Sequence, residues 1–273
     1  MTRILITGSD GFLGKEFTKY FSRNHEVIPL NRASLNVSIE EQVRNFFRYN
    51  EVDVILHTAF VGGKRSKPDD FLRLCQNLSA YKNLILHKKK PQYLFCFGSG
   101  AAYDRSSTIK GVEEEELLSR CPSDYYGMAK NIISRDILTR SEQNIYDFRL
   151  FGCFGKEEEE SRFIKSALRN INQGKPVVIN KNMLLDFFYV KDLCKVIDYY
   201  LLNHSQDLPH SMNMVYSEKY TLKDIAEHLS PNNDISIHES GLGAYTGSGS
   251  KLSKLQIPFL GLFQGIKDAK YNV

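Results

Sequence analysis

A tyrosine and a lysine four residues apart, in Tyr126-Gly127-Met128-Ala129-Lys130, share one face of any helix that carries them. An ammonium beside a phenol favours the phenolate, so such a tyrosine can give or take a proton near neutral pH. Tyr125 competes for the part, but one step along a helix turns a side chain by about 100°, so only one of the two faces Lys130. Taken alone the spacing is common, and its default reading is an exposed helix face. Its weight comes from order along the chain: glycines at 8, 11 and 14, then Ser99, then Tyr126 and Lys130, then a second half.

Ser99 follows an apolar run at 93–97, and a serine at a strand's carboxyl end can reach the cleft where α/β sheets bind ligands. Its hydroxyl can hydrogen-bond a substrate carbonyl while Tyr126 protonates it, with Lys130 lowering the tyrosine pKa and holding a nicotinamide ribose. Gly8-x-x-Gly11-x-x-Gly14 follows another short apolar run and opens a helical pattern. That context suits a pyrophosphate: small residues admit its approach, and the turn and helix start through Asp10, Phe12 and Leu13 offer N–H groups and positive potential. The bland alternative is an ordinary tight strand–helix turn. NAD sites usually end the second strand in a carboxylate that holds the ribose hydroxyls; here the chain reads Leu30-Asn31-Arg32, and Arg32 can pair with a 2′-phosphate. This favours NADP(H) over NAD(H). His57, Thr58 and Ala59, at the end of a third strand, are expected to line the same cleft.

These residues need a sheet to hold them. Strands are expected at 3–7, 26–30, 52–57, 93–97 and 145–150. Helices are expected from 14 to about 24, from a Ser38 cap to 50, from 69 to 87 (ended by Lys88-Lys89-Lys90 and Pro91), and from 126 to about 144. Such alternation argues for a parallel sheet with helices on both faces. Residues 98–123 read as a long loop with an acidic run at 113–116. Beyond 151 the pattern loosens: helices at 161–173, 192–203 and 221–229, short strands at 177–180 and 187–190, glutamates 157–160 facing water, and a flexible glycine- and serine-rich loop at 241–250. The fold expected is α/β: a Rossmann-type doubly wound parallel sheet with a smaller C-terminal substrate-binding lobe. The dinucleotide domain should cover 1–155 and the lobe mainly 156–273, some of whose segments return to the core.

The chain resembles the extended short-chain dehydrogenase/reductase family, also called the NAD-dependent epimerase/dehydratase family. The likeness is to its nucleotide-sugar branch, with GDP-fucose synthases and 4-keto-6-deoxy-sugar reductases. It rests on the glycine turn, the Ser99 to Tyr103 segment, Tyr126 and Lys130, Phe148-Arg149-Leu150-Phe151-Gly152-Cys153-Phe154-Gly155, and Asp186-Phe187-Phe188-Tyr189-Val190-Lys191-Asp192. Ala59-Phe60-Val61-Gly62-Gly63 adds to it, and Thr221 to Ala226 does so loosely. The resemblance implies a Ser99, Tyr126, Lys130 triad, with Gly100 and Ala101 near the substrate. Dehydratases of the family carry an acidic pair where this chain has Gly100 and Ala101. GDP-fucose synthases carry an epimerising cysteine where it has Ala101, and a histidine in the region that reads Ser161-Arg162-Phe163. The reductase half remains: hydride transfer to a keto carbon with Tyr126 as acid. The family's diphosphate-binding arginine is replaced by Leu185, leaving Arg162, Lys165 or Lys181 as substitutes; Asp10 also stands where GDP-fucose synthases have an arginine.

The expected activity is therefore NADPH-dependent reduction of the 4-keto group of a nucleotide-linked 4-keto-6-deoxy sugar, without C3/C5 epimerisation, feeding surface polysaccharide or lipopolysaccharide assembly. The alternatives are an NAD-dependent nucleotide-sugar 4-epimerase and a catalytically silent dinucleotide-binding protein. Bulk properties agree with a soluble enzyme: 273 residues, 42% hydrophobic, 25% charged, and a net charge of +4, too small to argue for nucleic acid. Five scattered cysteines suggest reduced thiols in the cytoplasm, no histidine pair has metal spacing, and no apolar run is long enough for a membrane span. Relatives commonly pair as homodimers.

Overall fold

A computed structural model describes residues 1–63, 68–89, 92–142, 144–203, 207–231 and 234–271. In chain order the elements are β1 (Arg3–Thr7), α1 (Phe12–Phe21), β2 (Glu26–Leu30), α2 (Glu40–Tyr49), β3 (Val54–His57), α3 (Phe71–His87), β4 (Tyr93–Ser99), β5 (Ile109–Val112), α4 (Tyr125–Thr139), β6 (Ile145–Leu150), β7 (Cys153–Phe154), α5 (Phe163–Asn172), β8 (Val177–Leu185), β9 (Phe188–Tyr189), α6 (Val190–Leu202), β10 (Ser211–Met214), α7 (Leu222–Leu229), β11 (Ile235–Gly247), α8 (Ser250–Ser253) and α9 (Gly261–Ala269). The chain forms two compact units: Met1–Ser107 with Glu114–Arg149 and Asp207–Met212, and Thr108–Glu113 with Leu150–Gln206 and Asn213–Val273.

The α/β expectation holds. A parallel central sheet of six strands runs in the order β10-β6-β4-β3-β1-β2. Its inner strands are mostly apolar because both faces are covered by helices; β3 and β6 are buried along their whole length. β2 is the edge, which is why Pro29, lacking an N–H, is tolerated in it. Helices bury one stripe each: Val43 and Phe47 from α2, Leu74, Ala80, Tyr81 and Leu84 from α3, Ile133 and Ile137 from α4. All of these but Leu74 pack with Leu5, Ile55 and Leu94 into one core. The chain leaves β1 for β2 on one side and then crosses to β3 on the other. The carboxyl ends of β1 and β3 therefore flank a switch point, where such sheets bind ligands.

The second unit holds a three-stranded sheet, β5-β11-β8, and the short parallel pair β7 and β9. Residues 241–247, expected to be a flexible loop, continue β11 instead. β11 is paired on both sides, Tyr245 standing against both Ile109 and Leu185, and this pairing overrides the poor strand preference of glycine and serine. Residues 98–123 likewise contain β5 and two 3₁₀ turns, Gly100–Tyr103 and Glu114–Leu118.

Ser38 does not cap α2. Ile39 holds that position, and the Ser38 hydroxyl donates instead to the side-chain oxygen of Asn36 at 2.8 Å. Glu158, expected in water, is buried at 4% exposure; Tyr271 donates to its carboxylate at 2.6 Å, and burial pushes its pKa up to about 7. Lys90 and Pro91 lie outside the described residues. Among the described residues no helix is long and apolar enough to cross a membrane.

Candidate active site

At the carboxyl end of β1, Gly8 takes a left-handed φ of +72°, and a Cβ there would stand 2.7 Å from the backbone of Ala59. A Cβ on Gly14 would collide with the Gly8 carbonyl oxygen and lie 2.7 Å from Ser9 Cα. Both positions thus require glycine for steric reasons. Gly11 precedes α1 with no side-chain cap, leaving the leading N–H groups of the helix, at Phe12, Leu13 and Gly14, for an anion.

Beside this turn is a cleft of about 260 Å³. Gly8, Asp10, Gly11, Asn31, Arg32, Thr58 and Ala59 line it, as the sequence led us to expect. Leu35, Asn36, Val37, Ser38, Phe60, Val61 and Asn77 line it too and were not foreseen. Apart from Asn77, on α3, their local signal is position, just after β2 and β3. Asn31 shapes the β2 end: its side-chain oxygen accepts from the amides of Ala33 and Ser34, at 3.0 and 3.1 Å. Asn77 clamps the other wall, accepting from Val61 N at 2.8 Å and donating to Val61 O at 2.9 Å. Thr58 donates to Thr7 O at 2.7 Å.

His57 is not among the lining residues. Its ring is buried, its Nδ1 stands 2.9 Å from Thr7 Oγ1, and burial together with Lys130 brings its pKa down to about 3. It is a neutral strut between β1 and β3. The cleft fits a dinucleotide: a glycine turn that any side chain would fill, an open helix start, and an arginine at the end of β2, where Leu30-Asn31-Arg32 carries no acid.

Ser99 ends β4, is 8% exposed, and accepts from Ala101 N at 3.2 Å, which leaves its O–H to donate elsewhere. Asp124 caps α4 through a 2.8 Å bond from Gly127 N. Gly127 must be glycine, since a Cβ would stand 2.8 Å from Ala101 O. Gly100 and Ala101 are buried in the turn beneath this helix end.

Tyr126 and Lys130 share the inner face of α4. Lys130 Nζ lies 6.0 Å from the Tyr126 ring centroid and 3.6 Å from that of Phe60, and donates to Phe97 O at 2.7 Å. Burial lowers the Lys130 pKa to about 8. Phe60 meets Tyr126 at 5.4 Å, edge to face, and Gly63, at φ +75°, packs against the Tyr126 ring edge. Tyr125 turns the other way and meets Phe71. A second cation, absent from the sequence reading, stands over Tyr126: the Arg105 guanidinium lies 5.8 Å from the ring centroid and is held by Asp124 at 3.0 Å.

In the second unit, Arg162 caps α5 and is exposed, and Lys181 is exposed on β8 in register with Glu239. Lys165 is committed to Glu158 O at 3.1 Å and to Glu160 at 2.7 Å. Lys219 bonds both carboxylate oxygens of Asp186, at 2.7 and 2.8 Å. A separate pocket of about 220 Å³ is lined by Asp186, Phe187, Tyr216, Glu218, Tyr220 and Phe259, among others.

The sequence pattern of the NAD dependent epimerase/dehydratase family matches residues 4–214. The spore coat polysaccharide biosynthesis protein SpsK of Bacillus subtilis is 20% identical over 216 residues, covering 78% of this chain and 74% of that protein. Among solved structures, MlghC, a GDP-mannoheptose C4 reductase from Campylobacter jejuni with NADP bound, superposes with a TM-score of 0.81 at 18% identity, covering 97% of this chain and 96% of that one. A dTDP-glucose 4,6-dehydratase from Bacillus anthracis in complex with NAD gives 0.79 at 17% identity, over 98% and 95%. Reductase and dehydratase thus share this fold, and the reaction must be argued from the residues.

Proposed function

The chain belongs to the NAD dependent epimerase/dehydratase family, and from that premise we propose that it reduces the 4-keto group of a nucleotide-linked 4-keto-6-deoxy sugar with NADPH, without epimerisation, in the making of a surface polysaccharide. One observation carries the reading. Tyr126 is flanked by Lys130 and Arg105, whereas the buried turn after Ser99 offers only Gly100 and Ala101. Ketone reduction needs one proton donor; dehydration and C3/C5 epimerisation need further acids and bases at the sugar carbons.

When bound, NADPH supplies the hydride that reaches the keto carbon. Gly8, Gly11 and Gly14 with the start of α1 hold its pyrophosphate, and Arg32 its 2′-phosphate. The Ser99 hydroxyl donates a hydrogen bond to the substrate carbonyl, and the Tyr126 phenol gives that oxygen its proton. The Lys130 ammonium stabilises the resulting phenolate, with the Arg105 guanidinium adding to it. The NADP-bound C4 reductase MlghC supports both cofactor and reaction class, and SpsK supports the polysaccharide setting.

The test is loss of NADPH absorbance with a panel of GDP-, CDP- and dTDP-linked 4-keto-6-deoxy sugars. Oxidation with one of them, reduced by about 10² or more in Tyr126→Phe while NADPH still binds, is expected. No oxidation with any sugar, together with NAD retained through purification, would replace this reading by a 4-epimerase.

A further inference from the structure

Beneath Ser99 and Lys130 lies a buried carboxylate that the proton transfer does not itself use. Asp147 and Arg149 stand two apart on β6, both at 0% exposure, with Arg149 Nη1 donating to Asp147 Oδ2 at 3.1 Å. The other oxygen, Oδ1, packs on the backbone of Gly98, where a Cβ would collide with it. Gly98 is the link between Phe97, whose carbonyl accepts from Lys130 Nζ, and Ser99. Ser134 is buried one turn beyond Lys130 on the same face of α4. β4, β6 and α4 therefore bring this carboxyl group up against the backbone that Lys130 holds.

We propose that Asp147 is a positioning residue that keeps the Lys130 ammonium protonated inside the sheet, so that Lys130 can act on Tyr126. The proposal rests on the reductase reading for its kinetic test alone.

The groups that face Lys130 support it. His57, on β3, is buried and neutral. Cys96, on β4, is a neutral thiol, because burial pushes its pKa far up. Phe60 offers only a π face, and the Tyr126 ring stands 6.0 Å away. Burial lowers the affinity of Lys130 for its proton, and the groups that raise it are Asp147 and Cys96, of which Asp147 is the one paired with a guanidinium. Burial raises the Asp147 pKa, and Arg149, 3.1 Å away, opposes that rise. Its guanidinium also spreads over the Tyr103 ring, 5.3 Å from the centroid.

The experiment follows the Lys130 Cε resonance through a pH titration of the ¹³C-lysine-labelled protein, assigned with Lys130→Arg. It is paired with the pH profile of kcat for NADPH oxidation. In Asp147→Asn the Lys130 titration should move down by at least about one unit, and the alkaline fall in kcat should move with it while KM changes far less. Asp147→Asn leaves the Arg149 charge stranded in the core, so Asp147→Asn/Arg149→Gln is measured beside it and should show the same displacement. An unmoved Lys130 titration in the folded double variant overturns the proposal. A displaced titration without NADPH oxidation by any sugar upholds it and overturns the reductase reading instead.

Discussion

The Lys130 ammonium stands over the Phe60 ring, 3.6 Å from its centroid. Phe60 in turn meets the Tyr126 ring at 5.4 Å, edge to face. One phenylalanine from the loop after β3 therefore touches both members of the proton-transfer pair. Its π face attracts the cation, and its bulk keeps water from it.

Replacing Phe60 by leucine keeps apolar volume but removes that face. kcat should fall roughly tenfold, the effect of about 1.4 kcal/mol, with NADPH affinity nearly unchanged. Steady-state kinetics and fluorescence titration of NADPH check the two halves. An equal loss in both would mean that Phe60 serves the cleft wall and not the lysine.

Arg32 lines the cleft at the β2 end, where Asn31 braces the turn. Arg32→Ala should weaken NADPH binding by roughly 10- to 100-fold, the range for a hydrogen bond to a charged group, and leave NADH binding unchanged. Calorimetric titration with both cofactors measures this. Parallel losses for the two would remove Arg32 from the 2′-phosphate.

Glu158 carries a pH-dependent share of stability. Its pKa rises from an ordinary 4.5 to about 7 on folding, by burial, so the folded state holds its proton more tightly than the unfolded chain. The associated stabilisation is complete below about pH 4.5 and is lost as pH rises through about 7. Its size is up to about 3 kcal/mol. Glu158→Gln keeps an acceptor for the Tyr271 hydroxyl and cannot ionise, so its Tm should fall less between pH 5 and about 8 than that of the native chain. His57, with its pKa lowered to about 3, contributes the opposite slope in acid, and the difference between the two melting curves isolates Glu158. Superimposable pH dependences would show that Glu158 is not the group responsible.

Much of the proposed chemistry was legible in the chain because it depends on local geometry. Residues four apart share a helix face wherever the helix packs, which is why Tyr126 and Lys130 could be paired and Tyr125 set aside. A turn in which a Cβ on Gly14 collides with Gly8 needs glycine whatever surrounds it. Apolar runs alternating with amphipathic helices are enough to require a sheet covered on both faces.

Other features depend on partners far along the chain. Residues 241–247 have the composition of a loop and are a strand because Ile109 and Leu185 both stand against Tyr245. Glu158 sits in an acidic run that suggests water, yet Tyr271 closes over it. Asp147 and Arg149 look misplaced in an apolar strand until the packing of β4, β6 and α4 pairs them and sets Asp147 against Gly98, next to the carbonyl that Lys130 holds. Covalent neighbours determine helix faces and turns; which charges lose their water, and against which partner, is decided only when distant segments pack, because desolvation and pairing act through space and not along the chain.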